Sequence, residues 1–369
     1  MVFDDKLYFD SEENEEDDEE LYPDFFYEWN ENIENGNSPG FYDADEIGDI
    51  IEIYFERDEF SKAQHAIDYA LKVYPGDEDL INDIITMLND YERWNDLLVM
   101  SEKYSDMLDS VSDSQRLTAL LHLAAEEDAF VLFEKLKTKY AGKDEDLSTL
   151  YQVMGESLYE MNLYDASISI IEEALKLFGD DIEFFWLQIH CYLQMENKEK
   201  VIELGEIISK MTPFDSATWH RLGVIYKDAG EFSRAVDAFE FAQSLGINDK
   251  ENLIQLIDSY EYNGNYQRAL EYAVEYMNFF PNNYLINFVA STICSHMEMW
   301  HEAIHFLDKA IRIEPSMDSL YLYKCNYLLN LGEQRKAKLT LLEGIKNTDD
   351  PEEDLEKELK RLNDLYPNI

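Results

Sequence analysis

The sequence predicts an all-α chain, an α-α superhelix of about nine helix–turn–helix units closed by a C-terminal capping helix. Three observations predict it. Ala235, Ala269, Ala303 and Ala337 recur every 34 residues, and counting back at that interval lands on the compact residues Val201 and Ser167. Pro213, Pro281 and Pro315 fall at unit ends, where a residue with no N–H to donate stops a helix. Tyr164, Phe232, Tyr266 and Trp300 share one position of the unit, at the start of its second helix. A fixed period of this kind marks an array in which each unit buries its apolar face only against its neighbours.

The segments follow in order. Residues 1–43 form an acidic, partly disordered segment: positions 1–36 hold fifteen carboxylates and one lysine, and residues 1–20 have too little apolar content to fold alone. Within it Phe25, Phe26, Trp29 and Ile33 recur with helical spacing before Gly36, predicting a short aromatic helix. That helix reads as packing on the first repeat, the alternative being a tethered motif that fills a groove of this protein or of a partner. Two repeats fit residues 44–111, through Ile50, Tyr54, Phe60, Ala63, Ile67, Ala70 and Pro75, then Ile84, Leu88, Trp94, Leu97 and Tyr104. Residues 112–147 have helical runs at Leu117–Ala125 and Ala129–Tyr140 but lack the glycine and aromatic markers. They read as a degenerate repeat with a shortened turn, either a bend or a boundary between subdomains.

Six units in strict register fill 148–350, starting at 148, 182, 216, 250, 284 and 318. Gly230 and Gly264 stand in the turns between paired helices. In 351–369, Leu355, Leu359, Leu362 and Tyr366 line one stripe of a charged helix, as expected of a cap that solvates the exposed end of an array.

The unit beginning at Ser216 carries Trp219, Leu222, Gly223 and Tyr226 on its first helix and Ala235, Phe239 and Ala242 on its second. In this pattern, which Gly155 shares at the glycine position, the chain resembles the tetratricopeptide-repeat (TPR) family, in particular bacterial-type cytoplasmic arrays. The resemblance covers roughly residues 44–350 and is strongest from 148 to 347. Small residues at the alanine position let paired helices approach closely, so leucine at Ala235 or Ala269 is expected to cost about 1–3 kcal/mol through overpacking.

Charge narrows the partners. Eighty acidic against thirty basic residues give −50, of which residues 1–36 contribute −14. Such a chain repels phosphate backbones and anionic membranes, so neither nucleic acid nor membrane is expected as a partner. Asp4 and Asp5 stand where a secretory signal needs positive charge, and no run of about 18 apolar residues occurs, so a cytoplasmic location is expected. Cys191, Cys294 and Cys325 are an odd number, far apart, and read as reduced core residues.

One string tests for chemistry. His301-Glu302-Ala303-Ile304-His305 matches HExxH, in which two histidines one turn apart bind zinc and the glutamate activates water. Here Ala303 is the repeat's packing position, and no extension supplies a third ligand, so the match reads as coincidence. Phosphate loops, nucleophile elbows and Cys/His signatures do not occur in the sequence. No cofactor, metal or catalytic residue is expected, and the chain reads as a non-enzyme.

The resemblance implies that the inner face, made mainly by first helices, holds a peptide or helix. Its candidates here are Asp45, Asp49, Glu52 and Asp79, then Trp186 and His190, then His220, Lys227, Phe288, Tyr323 and Asn326, a groove running from acidic to aromatic. Some members clamp acidic chaperone tails with lysine, asparagine and arginine. Gln152, Glu156, Trp186, His190, His220 and Val224 stand at the corresponding positions, so no such clamp is expected. The expected role is a scaffold or adaptor for a basic or amphipathic protein segment, the alternative a chaperone-like holder of basic or aggregation-prone clients, and an enzyme the remote third.

Overall fold

A computed structural model describes residues 22–37, 39–247, 250–348 and 353–367, and the expected acidic tail before residue 22 lies outside them. The chain divides into two compact units, residues 1–163 and 164–369. The first contains α1 (Asp24–Glu34), α2 (Ala44–Glu56), α3 (Phe60–Val73), α4 (Glu78–Asp90), α5 (Trp94–Lys103), α6 (Ser110–His122), α7 (Glu126–Lys139) and α8 (Asp144–Glu160). The second contains α9 (Tyr164–Phe178), α10 (Ile182–Gln194), α11 (Lys198–Met211), α12 (Ser216–Asp228), α13 (Phe232–Ser244), α14 (Lys250–Tyr262) and α15 (Tyr266–Phe279). It continues through α16 (Tyr284–His296), α17 (Trp300–Ile313), α18 (Asp318–Asn330), α19 (Gln334–Asn347) and α20 (Glu353–Leu365).

Sequence chemistry sets the helix starts. Asp43, Asp77, Asp109, Asp181, Asp215 and Asn283 precede first helices, and each side chain accepts a hydrogen bond from an otherwise unpaired N–H of the first turn. Asp43 goes further. Its carboxylate accepts from the Glu46 N–H at 2.9 Å while the Glu46 carboxylate accepts from the Asp43 N–H at 3.0 Å, a reciprocal capping box. Each such cap contributes about 1 kcal/mol.

The turns keep the beat. A left-handed residue follows each first helix at Asp58, Glu92, Ala124, Asn162, Glu196, Gly230, Gly264, Glu298 and Gly332. From Asn162 onward the spacing is 34 throughout, whereas Ala124 comes 32 after Glu92 and 38 before Asn162. The α6–α7 turn, Leu123–Ala125, has three residues like the α2–α3 and α4–α5 turns, so the shortened turn expected there does not occur. The irregularity sits on either side instead: α5 is short at 10 residues, and α8 is long at 17. Asp113 braces this out-of-phase pair. Fully buried, its carboxylate accepts from Arg116 Nη1 at 2.8 Å, Lys139 Nζ at 2.6 Å and the Tyr140 hydroxyl at 2.8 Å. A buried carboxylate with this many donors is satisfied.

Packing explains the small-residue position. Ala63, Leu97, Ala129, Ser167, Val201, Ala235, Ala269, Ala303 and Ala337 are all 0% exposed, so the position is sealed in every repeat. Gly223 allows still closer approach, since a Cβ there would lie 2.6 Å from the buried Phe239 ring. The aromatic residues that open second helices reach to the next hairpin. Trp94 stacks on His122, Phe232 on Tyr262 and Tyr266 on His296, with centroids 4.5, 5.0 and 5.0 Å apart.

At the N-terminal end, α1 packs on the first repeat. Phe26 and Trp29 are 1% exposed, Phe26 lies 5.2 Å from Tyr54, Trp29 meets Tyr42 and Tyr69, and the Tyr54 hydroxyl donates to Asn30 at 2.8 Å. At the other end Leu355 and Leu362 of α20 are buried in one cluster with Tyr321, Cys325 and Leu341, while Tyr366 stays outside the buried stripe.

Candidate binding surface

In the first unit the acidic candidates come together. Asp45, Asp49 and Glu52 are exposed along α2, and Asp79 is exposed on α4. Asp49 titrates above its ordinary value because the protein around it displaces water and because Asp45, Asp43 and Glu46 crowd it. Asp83 is pushed up in the same way, by desolvation and then by Asp79, Asp45, Asp109 and Asp77. The charged neighbours acting most strongly on both are carboxylates only. Like charges held this close raise the free energy of the ionised state and concentrate negative potential on the α2–α4 face. Glu52 lies farther along α2, where with Glu56 it holds the Tyr91 phenol above its ordinary value, after desolvation.

In the second unit the candidates divide. Trp186 is 3% exposed, with the Arg221 guanidinium 4.1 Å above its ring, so the expected aromatic anchor is covered and the surface there is arginine. Burial and then Arg221 lower the His190 pKa, and the two side chains lie 3.3 Å apart. His220 is half-buried, edge-on to Phe239 at 5.4 Å. Lys227 reaches to α14, donating to Gln255 at 2.5 Å and lying 4.0 Å from Asp258. Phe288 and Tyr323 form an edge-to-face pair at 4.8 Å, and Asn326 is exposed beside them on α18.

Among the described residues, twenty helices in paired succession, with a left-handed residue at a 34-residue beat from Asn162 onward, define the architecture on their own. No family model matches the sequence. The TPR repeat-containing protein MJ1428 of Methanocaldococcus jannaschii is 26% identical over 232 residues, which cover 49% of this chain and 41% of that protein. The chain thus spans less than half the length of that relative. Among solved structures, the C-terminal part of a TPR repeat-containing protein from Cytophaga hutchinsonii matches 67% of this chain and 99% of its own, with 16% identity and a TM-score of 0.50. The fold is a tetratricopeptide-repeat array. A tetratricopeptide-repeat protein from Parabacteroides merdae covers 73% of the chain at 14% identity and a TM-score of 0.41.

In this tetratricopeptide-repeat array the HExxH string lies on α17 with both His301 and His305 exposed and Ala303 buried. Among the described residues no three His, Cys, Asp or Glu side chains gather as metal ligands. All three cysteines are buried, and burial pushes the Cys294 thiol to about 11 and the Cys325 thiol to about 12, so neither forms a ready thiolate. Among the described residues no helix is long and apolar enough to cross a membrane.

Several surface residues were not anticipated. Arg221 on α12 lies over Trp186, and Gln255, Asp258 and Glu261 stand on α14, the first two against Lys227. Glu261 is pushed to about 7, first by desolvation and then by Asp258, and its carboxylate lies 3.5 Å from His296. Their repeat positions were visible, since Asp258 stands 34 and 68 residues from Val224 and His190. In a chain with eighty carboxylates, residue type alone carried no signal.

Proposed function

We propose that the protein is a non-catalytic interaction array that takes a basic or amphipathic segment of a partner protein along its first-helix face. The observation that carries the reading is the crowding of Asp45, Asp49, Asp79 and Asp83, whose mutual repulsion a cationic partner would relieve. Half-buried rings such as Phe288 and Tyr323 supply apolar contact for the same kind of segment. Arg221 over Trp186 and the Lys227–Asp258 contact make the second unit's face mixed in charge rather than purely aromatic.

The test is fluorescence anisotropy with a labelled amphipathic peptide rich in arginine or lysine. Replacing Asp45, Asp49, Asp79 and Asp83 together by asparagine should weaken binding about tenfold at low salt and flatten its salt dependence. Unchanged affinity and slope would remove the reading. Capture from extract separates the two roles, a single defined partner marking an adaptor and many salt-sensitive ones a holder.

A further inference from the structure

A cavity of about 320 Å³ opens within the second unit, lined from α9, α10 and α11. Its most deeply buried lining residue is a glutamine. Residues 34 apart at this repeat position are otherwise apolar, and Met154, Leu222, Leu256 and Ala290 are all 0% exposed. Gln188 takes the same place at 5% exposure, yet among the described residues its side-chain amide makes no hydrogen bond. The amide is not sealed in protein either, but opens into the cavity. A polar group held out of bulk water without a partner is unfavourable in the free protein, and this one offers a donor and an acceptor together. The rest of the lining suits a group without net charge. Lys200 donates to Glu203 at 2.8 Å, which leaves Glu172 and Lys176, one charge of each sign, without an ion pair among the described residues. In a chain of net charge −50 the cavity is balanced, two carboxylates against two ammoniums. Desolvation and then Glu172 hold the Tyr192 phenol above its ordinary value, so its hydroxyl, also without a hydrogen bond among the described residues, stays a neutral donor. Leu175 and Leu204 supply apolar sides.

We propose that this cavity binds a primary carboxamide, the group carried by glutamine and asparagine. A second carboxamide can donate to the Gln188 oxygen and accept from its nitrogen at once, engaging a donor and an acceptor that the fold leaves idle. A carboxylate brings no donor and an ammonium no acceptor, so neither satisfies both. Tyr192 offers a further donor to the incoming oxygen, and the two leucines cover the ligand's methylenes. The site belongs to the second unit and does not depend on the acidic face of α2 and α4.

The probe is acetyl-glutamine methylamide, titrated against the full chain and followed by saturation-transfer NMR at its side-chain methylene protons. The expected result is saturable binding, at least about fivefold weaker for acetyl-methionine methylamide and for acetyl-glutamate methylamide, which keep the length and lose the amide. Gln188→Leu restores the residue that Leu222 and Leu256 supply elsewhere, so it should melt no lower than the wild type and weaken the probe at least about tenfold. No binding, equal binding of either comparison compound, or undiminished binding by the leucine variant overturns the site. A lower melt of that variant overturns the idle amide on which the site is built. Free L-glutamine distinguishes the two sources of the group. Tighter binding than the blocked compound, lost when the exposed rim is neutralised in Glu172→Gln with Lys176→Met, assigns the site to a free amino acid. Tighter binding of the blocked compound assigns it to a side chain of a partner polypeptide.

Discussion

Two glycines in first helices should answer the same substitution with opposite signs. In α12, an alanine Cβ at Gly223 would lie 2.6, 2.6 and 2.8 Å from three carbons of the Phe239 ring. The carbon–carbon optimum is about 3.5–4.0 Å, so the ring or the helix must give by about 1 Å. Phe239 is 0% exposed and has no room to retreat. Overpacking of this kind costs about 1–3 kcal/mol, against which alanine recovers about 1 kcal/mol of helix propensity. Gly223→Ala should therefore lose up to about 2 kcal/mol. In α2, a Cβ at Gly48 meets nothing within 4 Å, so Gly48→Ala keeps the propensity gain of about 1 kcal/mol. Denaturant unfolding of both variants, fitted with separate transitions because the glycines lie in different units, should separate them by about 1–3 kcal/mol. Gly223→Ala as stable as Gly48→Ala would refute the close approach of α12 and α13, and with it the packing account of the repeat.

Asp113→Ala strands Lys139 and Arg116 beside a buried hole and should cost about 3 kcal/mol, since both cations keep some access to water; a loss under about 1 kcal/mol by thermal or chemical melt would contradict the bracing role. Asp83→Asn should raise the unfolding midpoint at pH 7, where the crowded carboxylate is ionised, and do so much less near pH 3; the raised pKa fixes this sign. Glu261, at about 7 in the fold against 4.5 ordinarily, favours the folded state in its protonated form, so its contribution is complete below about pH 4.5 and is lost as pH rises through about 7. Glu261→Gln should flatten the fall in stability of the wild type across that window, and parallel pH profiles for the two proteins would contradict it.

Much of the fold was legible because its packing rule is one-dimensional: Ala235, Ala269, Ala303 and Ala337 must be small wherever paired helices cross, and nothing distant alters that. The slip of phase around Ala124 was not, since Ala124 takes the left-handed turn position that glycine marks elsewhere, and the compensating length lies in α8. The candidate surface was less legible. Periodicity placed Trp186 on a first helix but could not reveal that Arg221, 35 residues on, would lie across its ring. The Trp94–His122 stack joins different hairpins and has no local signature. The acidic face of α2 and α4 was readable in Asp45, Asp49 and Asp79, whereas Asp83 emerged only once its distance from them was fixed.

The turn at Glu92 sets conformational ease against charge. Its φ of 55° is a region that glycine enters freely and other residues only at a penalty of about 1–2 kcal/mol. Glycine at this place would relax the backbone and remove a surface carboxylate. The same left-handed site holds glycine at 230, 264 and 332 but an acidic residue at 58, 92, 196 and 298, so at four of its turns the array gives up local comfort for negative charge.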